Sequence, residues 1–249
     1  MKTVDKSSKR RKRSKPPAPR PDSLSFAERL EAAAAGPLQR KGQRTRARLK
    51  AAAARLLENG GYRDLRVTDI NERANVSNAL FYIYFTNKEK ITHEVMTEFL
   101  DMLFAPPAAD TVPSGVEETI YRANLAYVRL FAANPGLMRC LLQFGDEIPE
   151  FEKLWRERNA QWLERGVKRM SREPELVGRS AAEIWTSIGA MGMMLDGVLR
   201  LVYVERWSRA RENITAVAPD EPRLAMFFTR LWVRALFGRE MAWSPPKGR

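Results

Sequence analysis

Residues 61–92 read GYRDLRVTDINERANVSNALFYIYFTNKEKIT, and two short helices separated by a turn are legible in them. Val67, Ile70 and Ala74 fall on one face of a helix over 67–74. Asn75 takes the left-handed conformation of a tight turn better than most non-glycine residues, and Ser77 is a good N-cap for a second helix. That second helix, 78–85, turns Phe81 and Phe85 inward, four positions apart. Ahead of both, Leu49, Ala53, Leu56 and Leu57 lie at helical spacing over 46–57, and Gly60-Gly61 ends that run.

Two short helices joined in this way make a helix-turn-helix, whose second helix can lie in the major groove of DNA. Ser77, Asn78, Ala79, Leu80 and Tyr82 sit on or near its outward side. Asn78 can hydrogen-bond a base edge, whereas Ala79 and Leu80 offer only apolar contact, best to a thymine methyl. The hydroxyl of Tyr84 reaches toward a phosphate. Lys88 adds charge in the first turn of the next helix, where free N–H groups also favour an anion. Upstream, Arg40, Lys41, Arg44, Thr45, Arg46 and Arg48 crowd the approach to the first helix, where the cations can meet phosphates. The plainer reading makes these helices core pieces of an ordinary α-protein, but the polar positions are an odd way to build a core.

From about Thr45 to Leu103 the chain resembles the DNA-binding domain of the TetR family of transcriptional regulators. Ala52-Ala53, Leu56, Gly61-Tyr62, Val67, Asp69-Ile70, Ala74, Val76-Ser77, Phe81-Tyr82, Tyr84-Phe85 and Lys88-Glu89 carry the match, in order and without a gap. The resemblance implies a homodimer on near-palindromic double-stranded operator DNA, with a small-molecule effector pocket in the C-terminal domain. It also implies that Thr68, Asn78, Ala79, Leu80 and Tyr82 face bases, and that Tyr84 and Lys88 face phosphates.

Four positions depart from the family pattern. Arg66 stands where Ser or Thr usually caps the second helix, losing about 1 kcal/mol of capping while offering a phosphate contact. Asn75 replaces the turn glycine. Leu80 occupies a position often held by a small polar residue, so the operator sequence does not carry over from relatives. Tyr84 replaces a common histidine, keeping a polar tip without a group that titrates near neutrality.

The whole chain is 249 residues with a net charge of +13, enough for two helical domains and suited to an anionic partner. Residues 1–22 concentrate that charge, in Lys9 to Arg13 and Lys15, and read as a disordered arm that either aids solubility or tracks the DNA backbone. Ser25 and Glu28 have the spacing of a capping box for a short helix over 26–35, closed by Gly36-Pro37. Its role is open. The single Cys140 excludes an internal disulfide framework and fits a reducing cytoplasm. With one His and one Cys, and no phosphate-binding glycine loop, no catalytic, metal or cofactor site is expected; His93 is read as an ordinary side chain. No secretory signal is visible. Residues 184–204 are apolar enough to suggest a membrane span, but Asp196 and Arg200 inside them would cost roughly 2.5–3.5 kcal/mol each near a bilayer centre. They read as a buried helix, and no membrane partner is expected.

Asn87 is the expected cap of a fourth helix through Leu103. Pro106-Pro107 and Pro113 then mark a break. Beyond it five helices are readable: 116–133 opened by Ser114 with Glu117, 134–144, 150–170, 180–208 opened by Ser180 with Glu183, and 221–237 capped by Asp220 and stopped by Gly238. The expected layout is all-α, with a basic extension over 1–40, a DNA-binding domain over 41–104, a C-terminal effector and dimerisation domain over 105–240, and a loose tail over 241–249.

In the C-terminal part, Asn124, Tyr127, Phe131, Phe144, Phe151, Trp155, Trp162, Trp185, Met193 and Met194 are positions that can face a largely apolar ligand, although each also suits plain core packing. Asp196 can orient a ligand, pair with Arg200 or face solvent. Leu224, Phe227, Phe228, Leu231, Trp232 and Ala235 form a wide stripe on the last helix. With the preceding long helix, it fits the family's four-helix dimer bundle. The function these readings support is a homodimeric repressor released from its operator by a small apolar effector. The rival is a basic protein that coats DNA without regard to sequence.

Overall fold

The computed structural model describes residues 24–36, 40–105, 115–147 and 149–245, with only the backbone for 142–147 and 149. The basic arm, Phe144's side chain, Pro106-Pro107, Pro113 and Ser114 lie outside the described residues. The fold is all-α, and the described residues include no strand. The helices are α1 (Phe26–Ala35), α2 (Lys41–Gly60), α3 (Val67–Ala74), α4 (Asn78–Tyr84), α5 (Lys88–Leu103), α6 (Val116–Ala133), α7 (Pro135–Glu147), α8 (Pro149–Met170), α9 (Ala181–Leu199), α10 (Ser208–Val217) and α11 (Glu221–Phe237).

Local chemistry sets most of the boundaries. Ser25 and Glu28 form a reciprocal capping box on α1, and Ser180 with Glu183 repeats it on α9. Asn87 accepts from the Lys90 amide and Asp220 from the Arg223 amide, satisfying N–H groups that a helix start leaves orphaned. Gly238 closes α11 with φ 66°, a backbone that costs glycine little. The N-cap of α6 is Gly115, which makes no side-chain cap. Glu117, expected to complete a box there, instead accepts from the amides of Ala242 and Trp243 and binds Arg239. Trp243 also packs against Tyr121, so the segment expected to be a loose tail begins tethered.

One core runs through both halves of the molecule. Leu49, Leu57, Ile70, Phe81, Ile91 and Phe99 from α2 to α5 join Phe131, Leu137 and Cys140 from α6 and α7 in a single buried cluster. α1 belongs to it: Phe26 is buried against Phe99, and its amide donates to Asn134 Oδ1 at 2.7 Å. Glu31 of α1 also binds Arg55 of α2 and Arg73 of α3. What looked like a helix of open role within the extension is an integral support of the DNA-binding half. A second core joins Ile120, Leu163, Ile184, Ile188, Trp232 and Leu236, from α6, α8, α9 and α11.

Two features of the long apolar segment were not foreseen. α9 stops at Leu199, and Arg200–Val204 is wound as a π-helical turn. A further surface helix, α10, then follows Arg206, whose φ is 52°. Nor is this segment mostly buried: the most apolar 18-residue window within Ala181–Val204 has a mean hydropathy of 1.4, yet only 22% of that window is buried inside the chain.

Candidate nucleic-acid interface

α3 and α4 meet through Asn75, which adopts the left-handed conformation at φ 50°. Ser77 Oγ accepts from the Leu80 amide at 3.3 Å and so starts α4. Arg66 makes no side-chain cap on α3, leaving that helix start without the usual acceptor. Arg48 of α2 supplies what the other end needs. Its Nη2 donates to the carbonyls of Ala74 and Asn75, at the negative end of the α3 dipole. The sequence reading placed Arg48 among the phosphate-facing cations; in the fold it braces the turn.

Phe81 is the one buried residue of α4, and Phe85 follows it into the core. That inward pair leaves Ser77, Asn78, Ala79 and Tyr82 exposed and Leu80 partly so. Ile83, at 73% exposure, shares the outward side and was not singled out from sequence. Its signal was available, since it lies two residues from each inward phenylalanine. Tyr82 rests edge-on against Phe81, with ring centroids 5.3 Å apart, which aims the phenol outward at little entropic cost. The Thr68 hydroxyl, on the exposed side of α3, donates to Asp69 at 3.1 Å.

The flanking cations differ in how they are held. Lys88 Nζ lies 4.5 Å over the Tyr62 ring and donates to the Leu65 carbonyl, which keeps its charge beside the start of α5. Arg46 is bound by Glu94 at 2.5 Å and covers the Phe85 ring, so reaching a phosphate requires exchanging that partner. Arg44 and Arg66 are exposed, and Thr45 bonds back to the Lys41 carbonyl within α2. The first turn of α2 contains Lys41 and Arg44 but no acid. Cations at a helix N-terminus oppose its dipole until an anion joins them. The Tyr84 hydroxyl lies against that same turn, where a Cβ on Gly42 would come within 3.2 Å of it. Phenol, helix start and cations together suit one phosphate.

The residues considered for an effector site do not all converge. Tyr127 donates to Asp196 across α6 and α9, and Phe131 lies between Tyr127 and Tyr203, with centroids 6.1 and 6.2 Å away. Tyr203, on the π-helical turn, was missed in the sequence because no local pattern marks its direction. Phe151 and Met194 join the same core, and Trp155 packs on Phe104. Asn124 is buried and donates to Thr229 at 3.1 Å, a link between α6 and α11. Trp162 belongs to the second core, close to Gly192. Trp185 and Met193 are corrections to the interior placement, being 47% and 76% exposed. α9 is apolar nearly all round, so periodicity alone does not tell its faces apart. The stripe on α11 is also divided: Leu224, Phe228 and Trp232 are spent on the protomer's own cores, leaving Phe227 and Ala235 exposed and Leu231 half-buried. Open depressions of about 490 Å³, beside Val167 and Trp185, and about 600 Å³, along α10, lie outside the Tyr127–Asp196 cluster.

Burial pushes the Asp196 carboxyl above its ordinary range, although the Tyr127 hydroxyl opposes this. Tyr127 is raised as well, by burial and then by the Asp196 charge. Folding therefore favours protonated Asp196. The stability cost of its charge is absent below the ordinary carboxylate range and builds as pH rises from about 4 to the raised value. Asp196→Asn is expected to melt at a higher temperature than wild type at pH 7 and at the same temperature at pH 3. A lower melting temperature at pH 7 would contradict this. Cys140 is pushed up to about 12 by burial, which leaves its thiol neutral and unsuited to nucleophilic work.

Comparison with known proteins agrees with this geometry. Residues 49–95 match the family model for bacterial regulatory proteins of the tetR family. The chain is 23% identical over 204 residues to the HTH-type transcriptional regulator EthR of Mycolicibacterium smegmatis, covering 79% of this chain and 88% of that protein. Its fold is similar to the fatty acid degradation regulator FadR from Bacillus halodurans, with TM-score 0.58 at 18% identity over 78% of this chain and 97% of that one. Salmonella enterica GusR gives TM-score 0.61 at 16% identity over 80% and 98%. Residues 49–95 thus carry a helix-turn-helix of the tetR family of bacterial regulatory proteins, and along most of its length the chain is similar to an HTH-type transcriptional regulator.

Proposed function

We propose that this protein is a homodimeric repressor that reads a near-palindromic operator with α4 and leaves it when a small apolar effector occupies the C-terminal half. The observation that carries the reading is the outward surface of α4: Asn78, Ala79, Tyr82 and Ile83 stand exposed over a fully buried Phe81, beside a helix start crowded with cations. Residues 41–104 would form the DNA-reading unit and 105–240 the effector and dimer unit. Tyr82→Ala or Lys88→Ala is expected to weaken operator binding at least tenfold while leaving the oligomeric state unchanged, as read by gel shift and light scattering. Loss of the dimer in both variants would count against the assignment.

α9 offers the face for a two-fold partner. Trp185, Gly189, Met193 and Gly197 form an i, i+4 row, in which large apolar side chains alternate with glycines that permit close helix approach. Phe227 and Ala235 of α11 add exposed apolar surface. A soluble chain leaves so large an apolar surface open only where another surface covers it, and a second copy suits a palindromic site. Met193→Asp is expected to convert the dimer to monomer and to lower operator affinity with it; a variant that remains dimeric would remove α9 from the interface. Covered in this way, α9 has no need of a membrane, and the protein would work in the cytoplasm.

The effector would act around Tyr127, Phe131, Asp196 and Tyr203, where two polar groups share a largely apolar core. Binding there shifts the equilibrium only by the difference in affinity between the DNA-competent and DNA-incompetent arrangements. The coating-protein rival draws on residues 1–22, which hold nine Lys and Arg against two Asp. Binding carried by that arm would be steeply salt-dependent and indifferent to sequence.

A further inference from the structure

Asn78, the first residue of α4, is gripped from behind by a residue that no DNA-binding pattern marks. Asn71 lies on α3, is buried, and donates from Nδ2 to Asn78 Oδ1 at 3.1 Å. Its backbone carbonyl is engaged as well, accepting from the Val76 amide at 2.9 Å. Asn71 therefore cannot move without disturbing the turn. Its own Oδ1 is buried without a partner. The opposite arrangement of the two amides would bury an unpartnered NH₂ instead, and orphaned N–H groups are rarer in proteins than under-satisfied carbonyls.

We infer that Asn71 sets the base preference of the protein by holding the Asn78 amide in one orientation, so that Asn78 meets DNA as a hydrogen-bond donor only. The inference rests on α4 being the recognition helix. A free asparagine amide is donor and acceptor at once, and in that form pairs with both N6 and N7 of adenine. With its oxygen turned to α3, Asn78 keeps Nδ2 for the groove, and no described protein group accepts from it. Guanine and thymine present only acceptors to such a donor, adenine sets its N6 amino group beside N7 and so suits it less well, and the cytosine amino group repels it. Asn71 touches no DNA in this arrangement. It is a positioning residue that determines specificity through its neighbour.

The test is selection from random duplexes by the full-length protein, with folding followed by thermal unfolding. Wild type is compared with Asn78→Ala, Asn71→Asp and Asn71→Leu. Asn78→Ala, at an exposed position, identifies the base pair that Asn78 reads as the one where preference relaxes. At that pair wild type is expected to favour guanine or thymine by roughly tenfold. Aspartate at 71 can only accept, so the Asn78 amide turns over, presents Oδ1, and inverts the preferred pair toward cytosine or adenine. Leucine frees the amide, and the preference at that pair flattens. A wild-type preference for cytosine or adenine there overturns the proposal even if both variants at 71 fail to fold. So does a folded Asn71→Asp with the wild-type preference, or an Asn78→Ala that relaxes no pair while wild type still enriches a site. Wild type enriching no site at all would instead sink the reading of α4 as a recognition helix, and this inference with it.

Discussion

Gly136→Ala is expected to lower the melting temperature by about 10 °C, taking roughly 2–4 °C per kcal/mol for a chain of this size. Gly136 is the second residue of α7, and a Cβ there would come within 1.8 Å of the Glu58 carbonyl oxygen and 2.7 Å of its Cα. The three nearest atoms are all backbone of α2, so moving a side chain aside cannot relieve the clash. The Glu58 carboxylate meanwhile accepts from the amides of Gly136 and Leu137 at 2.8 and 2.9 Å. Burial raises its pKa against those two donors, so they are what makes its charge tolerable at this depth. Separating α2 from α7 would cost about 1–3 kcal/mol in strain and about as much again for polar groups left without partners. The same contact joins the DNA-binding half to the C-terminal half, so operator affinity should fall along with stability. An unchanged melting temperature would show that α2 and α7 are not packed backbone to backbone.

Phe81→Ala is expected to abolish operator binding and to destabilise the DNA-binding half by about 3–5 kcal/mol, the usual cost of emptying a buried phenylalanine site. Phe81 is fully buried and anchors a helix that has no other buried residue. Its neighbour Tyr82 is 53% exposed, so Tyr82→Ala should lose binding with little loss of stability. Two adjacent substitutions would thus separate anchoring α4 from any contact it makes with DNA. Thermal unfolding and operator titration of both variants provide the check. Equal stability losses would mean that Tyr82 is structural.

The features legible in the sequence were those whose causes lie close together along the chain. Asn75, Ser77, Asn87, Asp220 and Gly238 each act within four residues of themselves, and each stands in the structure where its chemistry required. The support given by α1 was not legible, because Phe26 meets Phe99 and Asn134 only after the chain has folded back on itself. The cations around the start of α2 were legible as a group but not one by one. Arg48 proved to be a brace for the turn, and Arg46 is bound to Glu94, because a charged side chain does not record its partner in its own spacing. α9 carried the least information. Its apolar residues surround the axis, so Trp185 and Met193 could be given to a pocket as readily as to an outer face. The π-helical turn at Arg200–Val204 has no glycine or proline to mark it, and α10 was hidden behind it.

The most direct measurement is footprinting of the purified protein on DNA from immediately upstream of its own gene. It would be run with excess random-sequence competitor, at two salt concentrations, with and without residues 1–22, and alongside Tyr82→Ala. A regulator that reads DNA with α4 should protect two half-sites about one helical turn apart. The footprint should survive both competitor and removal of the arm, and vanish in Tyr82→Ala. Protection that competitor abolishes, that disappears with the arm, or that Tyr82→Ala retains in full would contradict sequence reading by α4.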